Sequence, residues 1–281
     1  MQRRFYDCHT HLFPTDRMDG LMRWVHRAVL HFDVPIDITA EQAVTDLLDA
    51  GAVGLANLLF PLSPDEAPGL HAWGRQLADR FPEVVPFGGV HVDDQNPLGV
   101  VQEAVEVYHM AGLKFHPMVQ GFYPWHPRLA AVLSYLNSRG LPMYVHTGYD
   151  KWYGFEYDRV GLEEMLDRYP ELPVVLSHVG FPDLKWGFAL ADRFPQVWLD
   201  LTNLPGSFDW SNSPSELVNM FQTGVGLFSD RVLLGTDYPA GIGTLDEIFT
   251  QLESIGLDDG LVEHVLVTSP ERFFTRFGSR G

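Results

Sequence analysis

The chain has 281 residues, 46% of them hydrophobic, and a formal net charge of −18. So acidic a chain lacks the clustered Lys and Arg that a phosphate backbone or an anionic membrane surface needs, which argues against nucleic-acid and membrane partners. One cysteine excludes an internal disulfide, the N-terminus has no apolar signal-peptide core, and no apolar run nears the ~20 residues of a membrane span, so a soluble cytoplasmic protein is expected.

The first element is "FYDCHTHLFP" (5–14), read as a strand. In a strand, residues i and i+2 share a face, so Asp7, His9 and His11 are expected on one side and Cys8 and Thr10 on the other. Two neutral imidazoles pointing the same way make half of a metal site. A long irregular stretch (12–37) follows; "DGLMRWVHRAVLHF" within it reads as a helical lid carrying His26 and His31, either of which could reach a substrate. "TAEQAVTDLLDAG" is a predicted helix with Thr39 as N-cap and Gly51 as terminator.

Short apolar runs then alternate with amphipathic segments. The strand candidates are "AVGLANLLF" (52–60), "VVPFGGVHV" (84–92), "AGLKFHP" (111–117), "LPMYVHTG" (141–148), "LPVVLSHVG" (172–180), "QVWLDLTN" (196–203) and "RVLLGTDYP" (231–239), and the chain closes on the helical "SPERFFTRF". Strands alternating with helices imply parallel pairing with helices outside. With the first strand this makes eight units, which close into a (β/α)8 TIM barrel with a helical lid insertion after the first strand, the single domain spanning 1–281. A barrel of this kind runs at ~250 residues. A doubly wound open sheet is the competing arrangement and would place its site at a switch point.

A barrel builds its site at the C-terminal ends of its strands. The first strand ends in His9 and His11, the fourth in Lys114 and His116, the fifth in His146, the sixth in His178 and the eighth in Asp237. Buried polar groups need partners, and a divalent ion is an economical common one. His71, His109, His126 and His264 fall on predicted helices or their starts and read as packing or surface residues, while His91 ends the third strand beside the site.

The ordered set "DCHTH", "GLKFHP", "VHTG", "LSHVG", "GTDYP" and "SPERFF" resembles the amidohydrolase superfamily, closest to the amidohydrolase-2 branch of metal-dependent barrel hydrolases and decarboxylases. The resemblance spans nearly the whole chain. It implies that His9, His11 and His146 bind the metal, that Asp237 lies at the metal and shuttles protons, and that His178 either binds a second metal or polarises the substrate. It makes Lys114 the candidate for a carboxylated bridge between two ions; the residue-level alternative is a positive group for a substrate carboxylate. The expected cofactor is Zn2+, with Mn2+ the alternative, and one ion rather than two.

A Lewis-acidic ion lowers the pKa of bound water to ~7, and Asp237 could carry its proton to a leaving group. The expected reaction is hydrolysis of a C–N or C–O bond in an amide, lactone or ester. The same residues would serve non-oxidative decarboxylation of an aromatic or unsaturated acid. A phosphoesterase would need more carboxylates and a basic cradle, and a non-catalytic metal-binding protein would not need so complete a ligand set. Aromatic residues crowd the loops after the fourth and fifth strands, so His116, Trp125, Tyr149, Trp152 and Tyr153 are candidates to bind a flat small-molecule substrate. A homodimer is compatible with this class.

Overall fold

The eight apolar runs become eight strands: β1 (Phe5–Thr10), β2 (Ala52–Leu58), β3 (Val84–Phe87), β4 (Leu113–Phe115), β5 (Met143–His146), β6 (Val174–Ser177), β7 (Val197–Asp200) and β8 (Val232–Leu233). A computed structural model describes residues 4–28, 34–148, 157–204, 214–241 and 244–278. All pairings are parallel and sequential, in two ladders, β1-β2-β3 and β4 to β8. Backbone hydrogen bonds stitch both seams. Lys114 N donates to Gly88 O (2.8 Å) between β3 and β4, and Cys8 N donates to Leu234 O (2.9 Å) between β1 and β8. The result is the TIM-barrel arrangement, so the open-sheet alternative falls away.

Cys8, Phe87, Tyr144, Val175, Trp198 and Leu233, each from a different strand, meet in one buried cluster. Side chains from so many strands can share a cluster only inside the barrel. The closing helix Ser269–Phe277 packs Phe273, Phe274 and Phe277 onto this layer. Two residues further along their strands, His146, Ser177 and Asp200 follow Tyr144, Val175 and Trp198 on the same face. The apolar interior therefore gives way to a polar layer near the strand ends.

Strict alternation along β1 does not hold. The β1–β2 register slips between Asp7 and Thr10, where Asp7 pairs with Leu55 and Thr10 with Asn57. This bulge inserts one residue and re-aims the strand, a common device beside active sites. Cys8, expected on the face opposite His9, packs in the interior cluster with Tyr144, whose ring centroid is also 6.3 Å from that of His9.

The insertion after β1 forms a helix, Thr15–Ala28. It does not stand off the barrel as a free flap. Met18, Met22 and Val25, spaced along one helix face, are buried in the main core. His26 Nε2 lies 2.8 Å from Val34 O, which ties the helix end to the following chain. His31 lies outside the described residues. Thr39 caps the helix Ala40–Ala50 by accepting from Gln42 N (3.1 Å), and Gly51 ends it with φ 109°, as the sequence predicts.

His71, on the helix Ala67–Arg80, is buried with Nε2 3.0 Å from Gly89 O. Burial holds this imidazole down at about 4. The unfolded chain takes up a proton there near the ordinary pKa of 6.5, so the group's contribution is complete above that pH and is lost as pH falls toward 4. Denaturant unfolding of His71→Gln should show a deficit against wild type that narrows over that interval. A pH-independent deficit would contradict this.

Candidate metal centre

Three imidazoles at the strand ends have their Nδ1 atoms committed. His9 Nδ1 is 2.5 Å from Asp200 Oδ2, His11 Nδ1 is 2.8 Å from Leu58 O, and His178 Nδ1 is 2.8 Å from Thr202 O. Carbonyls and carboxylates accept, so each Nδ1 carries the hydrogen and each Nε2 presents a lone pair. The Nε2 atoms of His9 and His11 lie 3.1 Å apart. Asp237 Oδ1 is 3.9 Å from the first and 3.7 Å from the second. Ligand atoms of His9, His178 and Asp237 all fall within 4.8 Å of one another.

Among the described residues, the convergence is only partly satisfied, by Lys114 Nζ at 3.4 Å from His9 Nε2. Asp237 Oδ1 is buried without a hydrogen-bond partner, whereas Oδ2 accepts from Asn203 Nδ2 at 2.8 Å. Burial pushes the pKa values of His9 and His11 well below the ordinary imidazole value and lowers that of His178, so protons do not separate the lone pairs. Burial also raises Asp237 to about 7. Nitrogen and oxygen ligands at ~2.1 Å from a tetrahedral ion lie roughly 3.4 Å apart, and the observed 3.1, 3.7 and 3.9 Å bracket that spacing. The donor set fits a divalent cation.

The remaining strand-end residues surround this cluster. His116 and His146 are stacked, with centroids 3.9 Å apart and rings 15° from parallel. The His146 ring lies 4.6 Å from that of His178. Burial lowers both imidazoles well below the ordinary value. His146 is not one of the three residues, His9, His178 and Asp237, whose ligand atoms lie within 4.8 Å of one another. Lys114 is fully buried; its Nζ donates to Ser177 Oγ (3.1 Å) and is 3.4 Å from His9 Nε2. Burial lowers the Lys114 ammonium to about 8.

A cavity of about 750 Å³ is walled by Met118, Tyr123, Thr147, Tyr157, Phe181 and Trp186; of these, Thr147 directly follows His146 in the chain. Its rim pair Arg159 and Asp183 is joined at 2.7 Å, and the guanidinium lies over the Trp186 ring. Trp125 commits its indole N–H to Asp158 Oδ2 (2.8 Å) and stacks on Tyr123, so it braces a wall residue. Tyr149, Trp152 and Tyr153 lie outside the described residues.

Sequence reasoning assigned no role to the end of β7. There Asp200, Thr202 and Asn203 contact His9, His178 and Asp237 in turn. It also left Asp7 without a function. The Asp7 carboxylate accepts from His9 N (3.1 Å), Thr236 N (3.0 Å) and Thr236 Oγ1 (2.5 Å), tying β1 to the residues after β8. The visible signal was the polar run "DLTN" closing an apolar strand.

Fold and site together define a barrel enzyme with a His/Asp centre suited to a metal ion. The sequence profile of the amidohydrolase family matches residues 6–276, and the chain belongs to that family of metal-dependent enzymes. Comparison with curated protein sequences finds no match. Among solved structures, the chain is similar to a 2,6-dihydroxybenzoate decarboxylase complexed with 2,6-dihydroxybenzoate, at 13% identity and TM-score 0.71, over 98% of this chain and 100% of that one. It is similar to 5-carboxyvanillate decarboxylase from Sphingomonas paucimobilis, at 13% identity and TM-score 0.68, over 97% and 99% of the two chains. It is also similar to a probable 2-pyrone-4,6-dicarboxylic acid hydrolase from Acinetobacter baumannii with citric acid bound, at 15% identity and TM-score 0.65, over 97% and 100%. At these identities the likeness concerns the fold.

Gly235 sets how closely β8 approaches the centre. A Cβ there would lie 2.3 Å from His9 Cβ and 2.6 Å from both His9 N and Thr202 Oγ1. Gly235→Ala should cost ~1–3 kcal/mol by overpacking. A lowered denaturation midpoint is expected; an unchanged midpoint would mean that the strands part without cost.

Proposed function

We propose that the protein is a metal-dependent hydrolase that cleaves a C–N or C–O bond of a small cyclic or carboxylated compound. One observation carries this reading: three Nε2 lone pairs converge with a buried, unpartnered Asp237 oxygen. His9, His11, His178 and Asp237 would hold a divalent ion, with His146 next to them. An N/O donor set of this kind suits zinc, and the single convergence point favours one ion over two. The ion would supply Lewis-acid polarisation and activation of water.

The side chains divide the remaining work. Asp237 would carry a proton on Oδ1, because Oδ2 is occupied by Asn203. The Nδ1–H of His178 is committed to Thr202 O, so Nε2 can ligate an ion but cannot donate to a substrate oxygen. Of the two roles the resemblance implies for His178, this supports the ligand. Lys114 remains the cation beside the cluster and is placed to meet a substrate carboxylate or developing negative charge. Its lowered pKa would also suit carboxylation were a second ion bound. The aromatic cavity suits the flat part of a substrate. That wall also supports a second reading, non-oxidative decarboxylation of an aromatic acid. The acidic composition supports a small-molecule partner over nucleic acid, and the buried Cys8 as lone cysteine is in keeping with the cytoplasm.

Elemental analysis of untagged protein should find about one equivalent of zinc or manganese. His9→Ala with His11→Ala should remove it; full retention would refute the centre. Asp237→Asn should lower turnover roughly 10²- to 10⁴-fold, and wild-type turnover would eliminate Asp237 as proton carrier. Screening lactones and amides against aromatic acids, with carbon dioxide release as the second readout, separates the two chemistries.

A further inference from the structure

Three hydrogen bonds leave the end of β7 and reach three different strands. Asp200 Oδ2 accepts from His9 Nδ1 at 2.5 Å, Thr202 O accepts from His178 Nδ1 at 2.8 Å, and Asn203 Nδ2 donates to Asp237 Oδ2 at 2.8 Å. His9, His178 and Asp237 are the groups whose ligand atoms lie within 4.8 Å of one another. We infer that the segment Asp200–Asn203 is a positioning element: it supplies no ligand, but orients these three groups at once. The inference rests on the metal-centre reading above.

The segment is built to hold fixed positions. Asp200 is fully buried, and its Oδ1 accepts from both Thr202 N (3.0 Å) and the Thr202 hydroxyl. That locks the carboxylate and leaves Oδ2 for His9. An imidazole can carry its proton on either nitrogen, and an acceptor at Nδ1 selects the tautomer whose Nε2 is free to ligate. Leu201 N donates to Leu233 O (2.9 Å), and Leu204 N donates to Leu201 O (3.0 Å), closing a turn that directs the Thr202 carbonyl to His178. Asn203 has φ 63°, a left-handed conformation that Asn tolerates better than most residues. From there its amide holds one oxygen of Asp237 and leaves the other facing His9 and His11.

Satisfying buried polar groups one at a time would not require a single source. Here the three bonds share four covalently linked residues, so displacing the segment displaces the whole set. The Thr202 side chain acts only through Asp200, whereas its carbonyl acts directly on His178. This distinction makes the inference testable by non-additivity.

The experiment uses the full-length protein loaded with Zn2+, with affinity measured by chelator competition. The visible spectrum of the Co2+-substituted protein reports ligand geometry. Asp200→Asn and Asn203→Ala should each weaken Zn2+ binding ~10- to 100-fold and change the Co2+ bands, with circular dichroism unchanged. Thr202→Val retains the carbonyl and loses only the hydroxyl on Asp200. Combining it with Asp200→Asn should therefore weaken Zn2+ no further than Asp200→Asn alone. Thr250→Val, which removes a hydroxyl bonded to Asp246 O on the helix Leu245–Ser254, serves as control and should leave affinity and spectrum unchanged. Asn203 is only half-buried, so Asn203→Ala keeps the test decisive if Asp200→Asn fails to fold. Folded variants that bind within about twofold of wild type with an unchanged spectrum would overturn the positioning role. Wild-type protein that takes up neither Zn2+ nor Co2+ would instead refute the metal reading, and this inference with it.

Discussion

Lone pairs on neighbouring imidazoles repel, and in this protein they face one another across 3.1 Å in a largely buried space. The rest of the site follows from that constraint. Protonation would relieve it, but burial drives the imidazole pKa values down. Tautomer exchange would relieve it, but Asp200 and the carbonyls of Leu58 and Thr202 hold every Nδ1 hydrogen in place. What remains is a cation. The ammonium of Lys114 lies 3.4 Å from His9 Nε2. It is anchored to Ser177 and carries a lowered pKa, so it offsets the repulsion without filling the centre.

Holding repelling groups together costs free energy, which the barrel spreads over its strands. Each ligand candidate comes from a different strand end or shares the bulged β1, so no local segment bears the whole strain. The bulge aims His9 inward, and Gly235 lets β8 approach without a side chain in the way. Beneath the polar layer, Tyr144, Trp198 and the phenylalanines of the closing helix form a packed floor that cannot yield. The site is thereby fixed from below by packing and from the side by hydrogen bonds.

Much of this was legible in the sequence because the two patterns that matter are local. An apolar run ending in His or Asp marks both a strand and its C-terminal end, and His9, His11, His116, His146, His178 and Asp237 were placed at strand ends that way. The β1 bulge was not legible, since one inserted residue changes no composition. The carbonyls of Leu58 and Thr202 carry no sequence identity at all. Asp200 and Asn203 were in plain view but resemble ordinary strand-end polar residues until β1, β6 and β8 are folded against them. The stretch "DGLMRWVHRAVLHF" was readable as helical, and the helix Thr15–Ala28 covers its start. Its role as core and not flap depended on the surface beneath Met18, Met22 and Val25, which a one-dimensional pattern does not describe.

The pKa pattern of the site has one dominant cause. Burial penalises either sign of charge, so it raises Asp7 and Asp237 to about 7 and lowers Lys114 to about 8, while the imidazoles are held neutral. The cluster is thus rich in donor atoms and poor in charge, although the chain as a whole carries −18. A bound cation inverts that logic, because it favours the ionised carboxylate and the neutral imidazole together. The same burial that makes Asp237 a weak acid in the metal-free chain is what would make its carboxylate a strong partner for an ion. In water each group would be better solvated and less demanding; in the barrel, the missing solvation would be the source of any affinity for an ion.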